Sequence, residues 1–96
     1  MIKEFRINVS EEQISNIYNK VKNYPWQSIE DMEGWIHGTN KTYLKEICKY
    51  WISEFDWKKH EELINSFSNF KTNVEGIDIH FIKEEGSGKN PKPLLL

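Results

Sequence analysis

An α+β polypeptide is predicted: about three helices with a tryptophan-rich meander, then a β-hairpin and the start of a third strand. Three observations carry that expectation. Apolar residues recur with a period near 3.6 through the first two-thirds of the chain, the period drops to 2 after Phe67, and Trp26 to Gly38 has no sustained period. The change of period divides the chain into a helical region, residues 1–67, and a strand region, residues 68–96.

Phe5, Ile7 and Val9 alternate with Arg6 and Asn8, which predicts a short extended lead-in. Ser10-Glu11-Glu12-Gln13 then has the capping-box pattern, in which the Ser10 hydroxyl and the Gln13 side chain each satisfy an otherwise unpaired amide of the other residue. A first helix follows. Ile14, Ile17, Tyr18 and Val21 form its apolar stripe, and Pro25 ends it by excluding Tyr24 from helical geometry. Pro25, Gly34 and Gly38 punctuate the meander, whose Trp26 and Trp35 are expected to pack on another surface.

Either Thr39 or Asn40 can cap a second helix, where Tyr43, Leu44, Ile47, Cys48, Trp51, Ile52 and Phe55 cover about half the circumference at 100° per residue. Asp56 offers the next cap, and Trp57, Glu61, Ile64 and Phe67 fall on one side of a third helix joined by a tight corner. Beyond it, Phe70, Thr72 and Val74 face one way, Glu75-Gly76 makes the turn, and Ile77, Ile79 and Phe81 answer on the return. Residues 84–92 form a polar loop, and Pro93 admits Leu94, Leu95 and Leu96 as the opening of a buried strand.

Composition narrows function by exclusion. Thirteen basic against fifteen acidic residues leave a net charge of -2, so no strong field favours nucleic acid or an anionic membrane. One cysteine, Cys48, allows no internal disulfide, and the N-terminus has no signal-peptide core or spanning segment, so a cytoplasmic setting is expected. The sequons at Asn8 and Asn40 are more useful as helix-start chemistry than as glycosylation sites.

Three partial motifs fail on their own chemistry. His60-Glu61 begins a HExxH zinc pattern, but position 64 is Ile, leaving one ligand nitrogen. Gly86-Ser87-Gly88-Lys89 resembles the end of a phosphate loop, yet position 83 is Lys rather than Gly, and Asn90-Pro91 replaces the magnesium-binding hydroxyl and blocks the helix. Cys48 lies on an apolar stripe with no histidine one turn away to activate it. His80 alternates with the apolar residues of its strand, which suits an oriented structural hydrogen bond or exposure better than general base catalysis, and His37 reads similarly. Lys41, Lys45 and Lys49 recur at i+4 spacing but share their helix with Glu46 and Glu54, as a solvated face does. No catalytic, cofactor-binding or metal residue is assigned.

Residues 34–82 resemble the N-terminal region of the microsomal-type epoxide hydrolases, a branch of the α/β-hydrolase superfamily, and the similarity covers nearly the whole chain. The most specific matches are Trp35-x-x-Gly38, Tyr43-Leu44-Lys45-Glu46 with Tyr50-Trp51, the corner Phe55-Asp56-Trp57, Leu63-Ile64-Asn65 with Phe70, and Gly76-Ile77-Asp78-Ile79-His80-Phe81. Tyr24-Pro25-Trp26 stands where the family has arginine-tryptophan-proline.

The resemblance implies that the hairpin and the leucine strand belong to an α/β-hydrolase sheet. In the family, that strand runs into a His-Gly-x-Pro turn whose amides stabilise an oxyanion; this chain is expected to stop just before it. Ring opening needs a carboxylate for attack, an acid for the alkoxide and a base for ester hydrolysis, and none of the family's groups for these steps has a counterpart here. The expected role is therefore a non-catalytic N-terminal part of an epoxide hydrolase, truncated relative to the whole, which braces the hydrolase core and lid. Its partner would be the remainder of the hydrolase domain, in the same chain or separate, with self-association through exposed strands as a further expectation. Trp35, Trp51, Asp56, Trp57 and Gly76 are the expected structural anchors. The alternative is a free-standing helical interaction module, or a remnant of a split or decayed hydrolase gene.

Overall fold

Ser10 begins the first helix as its sequence dictates. In the computed structural model, which describes residues 1–96, α1 spans Glu11–Lys22 with Ser10 as N-cap. The Gln13 amide donates to Ser10 Oγ at 3.1 Å, and the Ser10 amide donates to Gln13 Oε1 at 3.2 Å. Glu11 and Glu12 in the first turn, with Lys20 and Lys22 in the last, complement the helix dipole. After the cap at Asn23, Trp26–Ser28 makes one 3-10 turn closed by Ser28 Oγ donating to the Pro25 carbonyl at 2.7 Å. Tyr24 and Trp26 meet edge to face at 4.8 Å, so the departure at Tyr24-Pro25-Trp26 forms a local aromatic pair.

Asn40, rather than Thr39, caps α2 (Lys41–Ser53): its Oδ1 accepts from the Tyr43 amide at 3.0 Å. Its Nδ2 also donates to the Gly34 carbonyl at 3.2 Å, which ties the meander to the helix start. At the far end, the amides of Glu54 and Phe55 both donate to the Tyr50 carbonyl, and α3 (Trp57–Asn65) begins directly after Asp56. The corner is as tight as Phe55-Asp56-Trp57 requires.

The chain divides into two compact units, residues 9–57 and residues 1–8 with 58–96. The second holds an antiparallel sheet in the order β1-β2-β3, with β1 at Lys3–Glu4, β2 at Asn69–Val74 and β3 at Ile77–Ile82. The hairpin register is as expected: Phe70 opposes Phe81, Thr72 opposes Ile79, and Val74 opposes Ile77. Glu75 at φ 52° and Gly76 at φ 85° make the two-residue turn, whose left-handed backbone matches strand twist. The Gly76 amide donates to Asn73 Oδ1 at 2.9 Å, fixing it further.

The N-terminal lead-in supplies a third strand to the hairpin's sheet. The lead-in alternates as expected, with Phe5, Ile7 and Val9 half-buried and Arg6 and Asn8 exposed, and its pairing with β2 begins earlier, at Lys3–Glu4, and continues through the Phe5 amide, which donates to the Asn69 carbonyl at 2.9 Å. The third strand of this sheet is thus N-terminal, and Leu94, Leu95 and Leu96 form no ladder and stand exposed.

No apolar side chain is fully buried in either unit. The only buried residues are polar: Glu61 at 7% exposure, with Lys58 Nζ 3.2 Å from its carboxylate, and Asn69 at 5%. Apolar stripes of the expected period are present, but much of their surface stays open.

Candidate functional site

The side chains singled out for chemistry are not assembled into a reactive group. His80 Nε2 lies 2.8 Å from Asn69 Oδ1, while Asn69 Nδ2 donates to the carbonyls of Ile64 at 2.7 Å and Phe67 at 2.8 Å. Both amide hydrogens of Asn69 are thereby committed, its oxygen must accept, and His80 is held as the Nε2–H donor. Of the two expectations for His80, a structural hydrogen bond or exposure, both are met: the residue is exposed, yet its ring is oriented by Asn69 and makes an edge contact with Phe5 at 5.2 Å. His37 borders a meander cavity of about 310 Å3 beside Trp26 and Lys41. Three or more His, Cys, Asp or Glu side chains nowhere converge in a metal-holding geometry. The Gly86 loop folds on itself: a Cβ at Gly86 would lie 2.5 Å from Pro91 Cβ, so the loop is no open phosphate cradle.

What the helical unit does present is an apolar face. Val9, Ile14, Tyr18, Trp51, Phe55 and Trp57 line a cavity of about 180 Å3. Among those side chains Tyr18 Oη donates to the Phe55 carbonyl at 2.8 Å. Trp51 also borders a second apolar hollow of about 290 Å3 with Ile47, Tyr50 and Phe55. Trp51 remains 38% exposed, so its indole offers area to a further surface.

Two of the expected anchors, Trp51 and Trp57, therefore share one cavity, with Asp56 in the corner between them. Trp35 packs on Tyr43 at 5.1 Å but is 57% exposed. Gly76 lies in the strand unit, where its positive φ serves the turn. Sequence reasoning missed the side-chain amides. Asn65 Oδ1 accepts from the Ile7 amide at 2.8 Å and Nδ2 donates to the Ile7 carbonyl at 2.7 Å, clamping the segment that follows β1 by both backbone groups of Ile7. The only signal was a polar residue four positions after Glu61, on the side of α3 expected to be covered.

The sequence model described as "Epoxide hydrolase N terminus" matches residues 2–96. The chain belongs to the epoxide hydrolase N-terminal family. "Epoxide hydrolase 1" of Oryctolagus cuniculus is 38% identical over 99 residues, covering 99% of this chain and 22% of that protein. "Juvenile hormone epoxide hydrolase" of Manduca sexta is 32% identical, covering 99% of this chain and 21% of its own length. The crystal structure of juvenile hormone epoxide hydrolase from the silkworm Bombyx mori superposes with a TM-score of 0.80 at 27% identity, over 93% of this chain and 22% of that one. An Aspergillus niger epoxide hydrolase gives a TM-score of 0.65 at 25% identity over 85% of this chain and 22% of that one. The chain spans about a fifth of these relatives, which continue into a hydrolase core. Three helices with a three-stranded antiparallel sheet thus match the N-terminal part of epoxide hydrolase structures, as the resemblance implied.

Proposed function

We propose that this epoxide hydrolase N-terminal domain is a non-catalytic brace for a hydrolase core and its lid. The parent reaction is hydrolysis of an epoxide to a vicinal diol through an alkyl-enzyme ester. The observation that carries the reading is the open apolar face around Trp51 and Trp57, in a chain that fully buries no apolar side chain. Apolar surface left in water gains roughly 25 cal/mol for each Å2 later covered, so a face of this kind favours a large partner surface. The remainder of the hydrolase, in the same chain or separate, is the partner whose chemistry and family context fit. Without it, the exposed strands favour self-association.

The test compares three proteins: residues 1–96 alone, the body of a homologous epoxide hydrolase lacking its matching segment, and that body with residues 1–96 joined ahead of it. The chain alone should form no diol from an aryl epoxide, the body alone should be unstable and slow, and the joined protein should recover both stability and turnover. Full turnover by the unbraced body would contradict the proposal, as would diol formation by the purified chain.

A further inference from the structure

The opposite side of α2 carries a different surface. Thr42, Lys45, Lys49 and Ile52 follow one another at helical spacing, and with Val21, Lys22 and Trp26 they enclose a groove of about 420 Å3 within the helical unit. That volume falls inside the roughly 300–1,000 Å3 range of small-molecule sites. Along α2 the groove runs for about 15 Å at 1.5 Å rise per residue, so it suits a linear occupant.

Its charge pattern differs from the one the lysine spacing suggested. Lys41, the first of the i+4 series, is half-buried and donates from Nζ to the Ile29 carbonyl at 2.8 Å, so it serves the meander. Lys45 and Lys49 are instead joined by Lys22 from the end of α1. All three are exposed, and no carboxylate or carbonyl of the chain engages their ammonium groups. Glu46 is the one acid on the rim, leaving an excess of two positive charges in a chain whose net charge is -2. The floor is apolar, built from Val21, Ile52, the Trp26 indole and Cys48.

We propose that this groove binds a free, single-chain anionic amphiphile of the fatty carboxylate class, with the carboxylate among Lys22, Lys45 and Lys49 and the alkyl chain along Trp26 and Ile52. The three ammonium groups of Lys22, Lys45 and Lys49 beside an apolar strip suit a single alkyl chain with one anionic head. The inference is independent of the bracing role, which uses Trp51 and Phe55.

Cys48 is the only cysteine of the chain and lines the groove, so its alkylation by neutral N-ethylmaleimide reports occupancy. Decanoate, kept monomeric, should slow that reaction several-fold on the 96-residue chain; decanol should act far more weakly, and decyltrimethylammonium should have no effect. Lys45→Glu/Lys49→Glu should raise the decanoate concentration for half-protection roughly tenfold, as expected for exposed charge pairs lost together, and Lys22→Glu should raise it less. Lys83→Glu, in the strand unit, should leave it unchanged, and circular dichroism should show the same helix content in all variants. Equal protection by decanol or by the cation would overturn the proposal, as would protection that survives the double reversal or faster alkylation in decanoate. So would protection by anionic phospholipid vesicles, or by an acidic amphipathic peptide, in the absence of protection by decanoate.

Discussion

The helical unit and the strand unit are stabilised by different kinds of interaction. In the strand unit, a six-residue hairpin register, the Asn65 clamp on Ile7 and the saturated amide of Asn69 fix the backbone through hydrogen bonds made inside the chain. Both units leave apolar surface open, Val74, Ile77 and Ile82 on the hairpin as well as Trp51, but the helical unit, with its caps at Ser10 and Asn40, has helices that meet through such surfaces and lacks a ladder of this kind between them. Hydrogen bonds satisfied internally hold a local structure whatever lies beyond it. An open apolar face leaves part of its stabilisation to be supplied by another surface.

Mutations that separate the two should differ in where their effect appears. The largest effect is expected for Trp51→Ala or Trp57→Ala once the domain is joined to a hydrolase body, about 3–5 kcal/mol by denaturant unfolding. In the chain alone, Trp51→Ala should cost only about 1–2 kcal/mol, since the indole is already partly in water. Turnover of the joined protein should fall with stability while the diol product stays the same. Equal losses in both settings would remove the distinction between the units.

Next in size is Asn69→Ala, which leaves the Ile64 and Phe67 carbonyls and the His80 ring without their partner and should cost about 2–3 kcal/mol. Amide exchange should speed up in β2 and β3 and remain unchanged in α2. Gly76→Ala forces a Cβ into a left-handed conformation and should cost about 1 kcal/mol, read as a lower melting temperature. His80→Ala should be the mildest, under about 1 kcal/mol, with turnover of the joined protein preserved. Loss of activity at unchanged stability would instead make His80 a working residue.

Most elements were legible because each depends on neighbours in sequence. The capping box at Ser10, the cap at Asn40 and the Glu75-Gly76 turn are short-range devices, and all three form as written. The pairing of Lys3 with Lys71 was not legible, since nothing local says which distant edge a two-residue strand will join. Leu94 to Leu96 are apolar enough for a buried strand, but apolar character does not name a ladder partner, and they pair with none of the strands of this chain. Asn65 and Asn69 escaped because an amide's value lies in the backbone groups it reaches, and those of Ile7 lie 58 positions away. The aromatic face at Trp51 was visible in the helical period, whereas the groove rimmed by Lys22, Lys45 and Lys49 required two helices to be placed side by side.

Native-state hydrogen exchange of the amides of Lys41 to Ser53 tests the dependence of the helical unit most directly. It should be measured in this chain alone and again with the chain joined to a hydrolase body. The expected result is an opening free energy for α2 that rises by several kcal/mol on joining, as covering an open apolar face requires. Equal protection of α2 in the two settings would contradict a bracing face and show that the helices hold themselves.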